Sequence, residues 1–169
     1  HVLKDALGDV NVIAEDLGFL TDGVRRLLHD SGFPGMKVIQ FAFDSREESD
    51  YLPHNYEKNC VVYTGTHDND TLCGWYKVLD PDDLKLSQKY MNNANTPKTQ
   101  IHWDFIRLAL ASVANLCIIP LQDYLGLGSE ARINTPSTLG NNWRWRMKSG
   151  CLTKAFAEQI KEMTKLYGR

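Results

Sequence analysis

Titratable side chains follow directly after a short apolar run in the segment VVYTGTHDND, residues 61–70. A Thr-Gly-Thr turn separates the apolar residues from His67 and Asp68. A second acidic pair, Glu15 and Asp16, follows the apolar run VNVIA in the same way. An imidazole and carboxylates at the ends of apolar runs are groups that can transfer protons and stabilise charge. The two segments therefore predict a catalytic or ligand-binding site.

Glycosidic-bond chemistry suits this set of side chains. One carboxylic acid must protonate the leaving oxygen, and a second carboxylate must attack or stabilise an oxocarbenium-like centre. Glu15, behind an apolar run, can stay protonated through desolvation and then act as acid and base. Asp68, beside a histidine that bonds sugar hydroxyls, is expected to stay ionised. His67 alone is also typical of a structural histidine, but its place directly before Asp68 favours a contact with a ligand.

Metal and redox chemistry are disfavoured. Adjacent residues on an extended strand point to opposite faces, so the HDND segment cannot easily hold one ion. The four cysteines show no CxxC spacing, which argues against a zinc site and a redox pair and favours free buried thiols of a cytosolic protein. We expect no metal and no cofactor.

Composition places the chain among ordinary globular proteins. It has 169 residues, of which 43% are hydrophobic and 24% charged, enough for one unit with a sizeable core. Its net charge is −2 and its 19 basic residues are scattered, which argues against binding to nucleic acid or to a membrane surface. The longest apolar stretch, residues 108–121, is too short to span a bilayer. The first residue is histidine, so we expect the chain to be a piece of something longer or a processed product.

Alternating apolar runs and helical patterns predict an α/β unit with a parallel sheet. The β-type runs are nearly continuously apolar in their first halves, as in strands buried on both faces. They cover residues 10–17, 35–43, 60–67 and 117–125. Helical patterns with start signals separate or follow them: one capped by Thr21, one opening at Asp80-Pro81, one over 101–114, and an amphipathic one from Leu152 to the end.

Each predicted strand ends in polar residues, and ligands meet chemistry at the carboxyl ends of strands in doubly wound sheets and (β/α)₈ barrels. For Asp16, Asp70 and Asp123, helix N-capping explains the residue equally well. For Glu15 and Asp68, directly at the ends of apolar runs, a catalytic role is favoured.

Two long connections also bear on function. The segment 44–59 is long, charged and aromatic, which is typical of a functional loop. The segment 132–147 ends in the alternation Trp-Arg-Trp-Arg. This pattern fits either a short strand that buries tryptophan, or an aromatic and amide platform for a polyhydroxylated ligand.

Six blocks of this sequence, in order and over nearly the whole chain, resemble the amylomaltases, which are the 4-α-glucanotransferases of glycoside hydrolase family 77. The blocks are IAEDLG (13–18), FPGMKVIQFAFD (33–44), YLPHNY (51–56), VVYTGTHDNDT (61–71), IIPLQDYLGLG (118–128) and RINTPSTLGNNWRWRM (132–147).

The resemblance implies a (β/α)₈ TIM barrel, retaining double-displacement chemistry and no cofactor. It places the acid/base glutamate at Glu15 and the transition-state-stabilising aspartate at Asp68, with His67 contacting the sugar at the cleavage site. It also implies that Asp44 and Asn134 bind substrate.

Only the C-terminal half of that barrel is matched, namely strands five to eight with their helices, so residues 1–169 are interpreted as the C-terminal part of a catalytic barrel domain. The family's nucleophile is an aspartate on the fourth strand, in an Arg-x-Asp-His block that this sequence does not contain. The missing N-terminal half is therefore an expected partner, and open sheet edges predict self-association of the chain by itself.

Two functional hypotheses follow. The first is a fragment of a 4-α-glucanotransferase that moves α-1,4-glucan segments between malto-oligosaccharides, in the cytoplasm or, in a plant or alga, the plastid stroma. The second is a catalytically inactive α-glucan-binding or assembly half-domain. A hydrolase would differ from the first only in using water to resolve the intermediate.

Overall fold

The computed structural model describes residues 2–8 and 10–169, and three parallel strands form the sheet in this part of the chain. Strand β1 covers Gly35–Val38, β2 covers Cys60–Tyr63 and β3 covers Leu116–Ile118, in the order β1-β2-β3. Gly35 pairs with Cys60, and Val61 pairs with Leu116. The predicted α/β class with a parallel sheet is confirmed.

The predicted strand over residues 10–17 is wrong, because this segment makes no ladder with β1. Ala14 N donates a hydrogen bond of 2.9 Å to Pro34 O. Two residues further on, the Asp16 side chain replaces a backbone partner, since its Oδ1 accepts from Met36 N at 2.5 Å. In a parallel ladder, the Met36 amide would donate to a backbone carbonyl of the 10–17 segment. Here the Asp16 carboxylate accepts that hydrogen bond, so the ladder does not continue.

The other three strands are shorter than their apolar runs. After Val38 the chain turns into a 3₁₀ helix, Ile39–Phe41, although Ala42 and Phe43 remain buried. Strand β2 stops at Tyr63, and β3 gives way at Pro120 to a short helix. Apolar content reports burial and does not fix where a ladder ends, so the runs overestimated strand length.

Seven α-helices lie in the described residues: α1 (Val2–Leu7), α2 (Asp22–Ser31), α3 (Leu72–Val78), α4 (Pro81–Met91), α5 (Ile101–Leu110), α6 (Leu121–Tyr124) and α7 (Lys154–Leu166). The predicted caps of α2 and α4 are confirmed. Thr21 Oγ1 accepts from Val24 N at 3.4 Å, and Asp80 Oδ1 accepts from Asp82 N at 2.9 Å. None of the helices described here is long and apolar enough to cross a membrane.

Helix α5 supplies the centre of the core. Phe105 is fully buried and meets the rings of Phe43, Trp75 and Tyr76 edge-on, with centroids 5.3–5.9 Å apart. Edge-to-face pairs at this distance add to the stabilisation that burial gives. This core fixes α3 and α5 against the sheet and so fixes the turn that enters α3.

Candidate active site

A cleft of about 1420 Å³ opens beside the last residues of the strands and is lined by Tyr63 of β2 and Ile118 of β3. Four of the five predicted site residues line it: Glu15, Asp44, His67 and Asp68. The fifth, Asn134, reaches the same place through Asp68, because its Nδ2 donates a hydrogen bond of 2.6 Å to Asp68 Oδ1. The fold therefore brings all five predicted residues to one region.

His67 and Asp68 lie at the tip of the 64–72 turn between β2 and α3. Thr66 and Asn69 close the turn, since Thr66 N and Thr66 Oγ1 donate to Asn69 Oδ1 at 2.9 and 2.8 Å. Both side chains at the tip are about half exposed, and His67 Nε2 lies 3.3 Å from Asp68 Oδ1. The chain has turned here, so the two side chains meet instead of pointing to opposite faces.

A second loop fastens this tip. Asn134 N donates to His67 O at 3.1 Å, and Arg132 Nη2 donates to Asp68 O at 2.7 Å. Arg132 Nε also donates to Asn134 O at 2.8 Å, so the two residues that hold the tip are bonded to each other. The ring of Trp143 lies 5.1 Å from that of His67. The 132–143 loop thus holds both the backbone and the side chains of the His67–Asp68 pair.

The Trp-Arg alternation forms no strand in the structure, so that alternative is wrong. Trp143 is 57% exposed and has a positive φ of 64°, a conformation that non-glycine residues seldom adopt. The backbone N–H of Trp143 donates to Ile133 O at 2.7 Å, and this bond holds the indole ring against His67. The other alternative, an aromatic platform for a ligand, stays a prediction.

Asp44 is held by its neighbour Arg46. The guanidinium donates to both carboxylate oxygens, with Nε–Oδ1 at 2.8 Å and Nη2–Oδ2 at 2.6 Å. The side-chain and backbone hydrogen bonds from Arg46 lower the pKa of Asp44 to about 2. The carboxylate is therefore an acceptor over the whole ordinary pH range.

Glu15 and Asp16 differ in their surroundings. Glu15 is exposed at the cleft, so the burial behind an apolar strand that the sequence suggested is not found. Asp16 is half-buried and binds the Met36 amide. A Cβ on Gly35 would lie 2.6 Å from Asp16 Oδ2, so only glycine lets this carboxylate approach β1 so closely. Asp16 is an edge partner of β1 and caps no helix.

Neither Asp70 nor Asp123 is a helix N-cap. Asp70 lies within the turn next to Thr71, the N-cap of α3, and Asp123 lies behind the turn inside α6, whose N-cap position is Pro120. Asp70 Oδ2 accepts from Ser129 Oγ at 2.6 Å. Asp123 is 1% exposed and accepts from Thr64 Oγ1 at 2.6 Å and from Leu72 N at 2.8 Å. Burial raises the pKa of Asp123 to about 6, against the lowering effect of these two bonds.

Similarity to known proteins identifies the family. The profile of glycoside hydrolase family 77, described as 4-alpha-glucanotransferase, matches residues 1–153. The chain belongs to glycoside hydrolase family 77. A 4-alpha-glucanotransferase of Clostridium butyricum is 48% identical to this family 77 chain over 170 positions, covering 100% of the chain and 34% of the relative. A chloroplastic/amyloplastic 4-alpha-glucanotransferase of Oryza sativa is 46% identical over 99% of the chain and 28% of the relative.

Solved structures agree with the family 77 assignment. An amylomaltase from Streptococcus agalactiae in complex with acarbose superposes with a TM-score of 0.91 at 38% identity, over 99% of this chain and 34% of that one. An amylomaltase from Corynebacterium glutamicum, at 15% identity and a TM-score of 0.66, shows the shared fold. The family 77 chain spans about a third of the length of the relatives it matches.

Three residues of the candidate site in this family 77 chain escaped prediction: Thr64, Gln40 and Arg132. Thr64 is fully buried at the end of β2, and Gln40 is buried and donates from Nε2 to Asp70 O at 2.7 Å. A polar residue inside an apolar run, as in VIQFAF or VVYTG, was the available signal, because a buried polar side chain needs a partner. No comparable signal marks Arg132.

The arrangement offers the family 77 chain carboxylates of two kinds. Glu15 and Asp68 open onto the cleft, whereas Asp70 and Asp123 are tied to neighbouring hydroxyl and amide groups. Within the described residues, no group of three or more His, Cys, Asp or Glu side chains could hold a metal ion. Glu15, Asp68 and His67 present two carboxyl groups and an imidazole to one cleft.

Proposed function

We propose that this chain is the C-terminal part of a 4-α-glucanotransferase that transfers α-1,4-glucan segments between malto-oligosaccharides by a retaining double displacement, without a cofactor. The observation that carries the proposal is that Glu15, His67 and Asp68 line one cleft beside the strand ends in a chain of family 77. The activity is placed in the cytoplasm of a bacterium or in the plastid stroma of a plant or alga, in keeping with the origin of the relatives.

The proposed architecture is strands five to eight of a (β/α)₈ barrel, with residues 1–169 forming the C-terminal part of one catalytic domain. Parallel pairing of β1, β2 and β3, with α3, α4 and α5 between β2 and β3, supports this. The 10–17 segment takes the place of the fifth strand beside β1, to which Ala14 and Asp16 attach it.

Glu15 is proposed as the general acid and base. In the first displacement its carboxylic acid protonates the glycosidic oxygen as a nucleophile attacks the anomeric carbon and the glycosidic bond breaks. In the second, its carboxylate takes the proton of an acceptor sugar hydroxyl, which attacks the anomeric carbon and releases the enzyme carboxylate. Exposure of Glu15 at the cleft supports access to both oxygens.

Asp68 is proposed to stabilise the oxocarbenium-like transition state, with His67 and Asn134 as neighbours that also bind sugar. Asn134 Nδ2 and His67 Nε2 both lie against Asp68 Oδ1, at 2.6 and 3.3 Å. Their contacts leave Oδ2 to accept hydroxyls of the sugar ring. Asp44, ionised beside Arg46, is proposed to accept further sugar hydroxyls.

The attacking nucleophile is proposed to be the aspartate of the family's Arg-x-Asp-His block, outside these 169 residues, since this sequence has no such block. Without it, no glycosyl-enzyme bond can form. The chain by itself is then inactive.

A chimera tests the proposal directly. The matching third of the Clostridium butyricum relative is replaced by this chain, and glucose release from maltotriose is measured for the chimera, for the rest of the relative and for this chain alone. Activity of the chimera only is expected. Activity of the chain alone would contradict the missing nucleophile, and tight maltoheptaose binding by the chain with an inactive chimera would favour a binding half-domain.

Substitutions in that chimera test the roles. Glu15→Gln and Asp68→Asn should each lower turnover by about 10²-fold or more, because they remove proton donation and charge stabilisation. Asp16→Asn is the matched control for Glu15→Gln, and its effect should be clearly smaller, since asparagine can still accept from the Met36 amide. Near-normal disproportionation by a folded Asp68→Asn chimera would refute the assignment.

A further inference from the structure

One carboxylate holds both ends of the turn that carries His67 and Asp68. Thr64 Oγ1, at the start of the turn, donates to Asp123 Oδ2 at 2.6 Å. Leu72 N, at its end, donates to Asp123 Oδ1 at 2.8 Å. Thr64 and Asp123 are 0% and 1% exposed. A single rigid group therefore fixes the separation of the two ends.

The two hydrogen bonds of Asp123, to Thr64 and Leu72, are called the clasp below, and the charge of Asp123 strengthens them. Burial raises its pKa to about 6, so at neutral pH the side chain is ionised and can only accept hydrogen bonds. Bonds to an ionised acceptor are shorter and stronger than bonds between neutral groups. Asp70, in the turn, and the Cys73 thiol, on α3, interact electrostatically with this carboxylate.

We propose that Asp123 is a positioning residue: by clasping Thr64 and Leu72 it sets where the tip of the turn presents His67 and Asp68 to the substrate. The proposal rests on the proposed transferase function of that tip. It assigns Asp123 a role through the turn and no contact with sugar.

The clasp and the 132–143 loop act at different places. Arg132 and Asn134 bind the tip at Asp68 O and His67 O, whereas Asp123 binds the base of the turn. Loosening the base would displace both side chains of the tip together. A displacement of about 1 Å in a catalytic group can cost about 10² in rate, and it weakens contacts made in the transition state most.

The test uses the chimera and a matched pair at Thr64. Thr64→Val keeps the shape and removes the hydroxyl, whereas Thr64→Ser keeps the donor. Thr64→Val is expected to lower kcat about tenfold or more with KM changed less than about twofold, and Thr64→Ser to retain most of the rate. Asp123→Asn, which turns one acceptor into a donor, should lower kcat in the same way.

Hydrogen exchange provides a readout besides activity. Amides of residues 64–72 should exchange faster in Thr64→Val than in Thr64→Ser. Asp104→Asn is the control, because it removes another carboxylate that accepts a side-chain hydrogen bond: Asp104, on α5, accepts from Asn93 Nδ2 at 2.9 Å. This substitution should change neither kcat nor hydrogen exchange in the turn.

Several outcomes overturn the proposal. These are an unchanged kcat in Thr64→Val, an equal loss of kcat in Thr64→Ser, or unchanged hydrogen exchange in the turn. Unfolding of both Thr64→Val and Asp123→Asn while Thr64→Ser folds would also overturn it, because the clasp would then serve folding alone. An inactive wild-type chimera counts against the proposed function, and the exchange comparison still decides whether Asp123 positions the turn.

Discussion

The aspartates of this chain show how surroundings assign different tasks to the same residue type. Asp44 forms a two-bond pair with Arg46, which keeps it ionised. Asp123 is buried and serves two neighbours, and Asp16 binds a strand amide. Asp68 keeps about half of its side chain exposed at the cleft. Access to the cleft, more than residue type, separates the proposed site residues Asp44 and Asp68 from the structural Asp16 and Asp123.

The buried Asp123 should make the stability of the chain depend on pH. Its pKa is about 6 in the folded chain against an ordinary value of 3.8, so the folded state binds more protons between these values. This group therefore contributes less to the free energy of unfolding as the pH rises from about 4 to about 6, by up to about 3 kcal/mol for roughly two pKa units.

Denaturation of the wild-type and Asp123→Asn chimeras at pH 4.5 and pH 7 measures this contribution. The stability difference between the wild-type and the variant should be more favourable to the wild-type at pH 4.5, because asparagine has no charge to bury. A difference that stays constant across this range would contradict the prediction.

At the scale of elements, single side chains satisfy the backbone groups that helix ends leave without partners. Thr71 and Thr153 cap α3 and α7 by accepting from Gly74 N and Phe156 N, both at 3.1 Å. The end of α5 is served instead by Arg169, whose guanidinium reaches three carbonyls at 2.7–3.0 Å: Leu110 O, Ser112 O and Ala114 O. One side chain thereby joins α5 to the approach to β3.

Arg169→Ala should loosen the connection between α5 and β3, because three carbonyls lose a charged donor. The expected cost is roughly 1–3 kcal/mol of local stability, given the partial exposure of the site. Hydrogen exchange over residues 108–118 should rise in Arg169→Ala. Arg107→Ala, an exposed arginine on α5, is the matched control, and equal effects of the two substitutions would refute the role of Arg169.

Elements marked by local chemistry were predictable from the sequence, and elements defined by distant partners were not. Thr21 and Asp80-Pro81 mark the starts of their helices, because each cap and the amide that it binds lie within four residues of one another in the sequence. Residues 10–17 have the composition of a strand, but whether they pair depends on what Met36 binds, and Asp16 takes that amide. His67 and Asp68 were predictable as a pair from their place after an apolar run. The clasp by Asp123 was not, because the sheet register brings that carboxylate to Thr64 from 59 residues away.

The molecule as a whole exposes more surface than its size requires. Its accessible area is 11081 Å², whereas a compact monomer of 169 residues exposes about 8,400 Å². Large apolar side chains that remain exposed on α2, on β3 and at the cleft include Val24, Leu27, Leu116, Ile118 and Phe19.

The isolated chain is therefore expected to self-associate or aggregate. Strand β3 is an edge of the described sheet, the 10–17 segment beside β1 forms no ladder, and apolar side chains lie exposed nearby. Sedimentation velocity and thermal melts over a range of concentrations measure this. A monodisperse monomer that unfolds cooperatively would count against the prediction. In the chimera, the docked remainder of the relative should suppress the association.

The long separations within the site also affect how it forms during synthesis. Asp68 leaves the ribosome 66 residues before Asn134, and Leu72 leaves 51 residues before Asp123. At 5–20 residues per second, the longer interval lasts about 3–13 s. During that time Asn69 and the earlier Gln40 can already hold the turn, but the groups that aim it do not yet exist. A ribosome that pauses before residue 123 would therefore present a nascent chain that contains the His67–Asp68 pair but whose turn Asp123 does not yet fix.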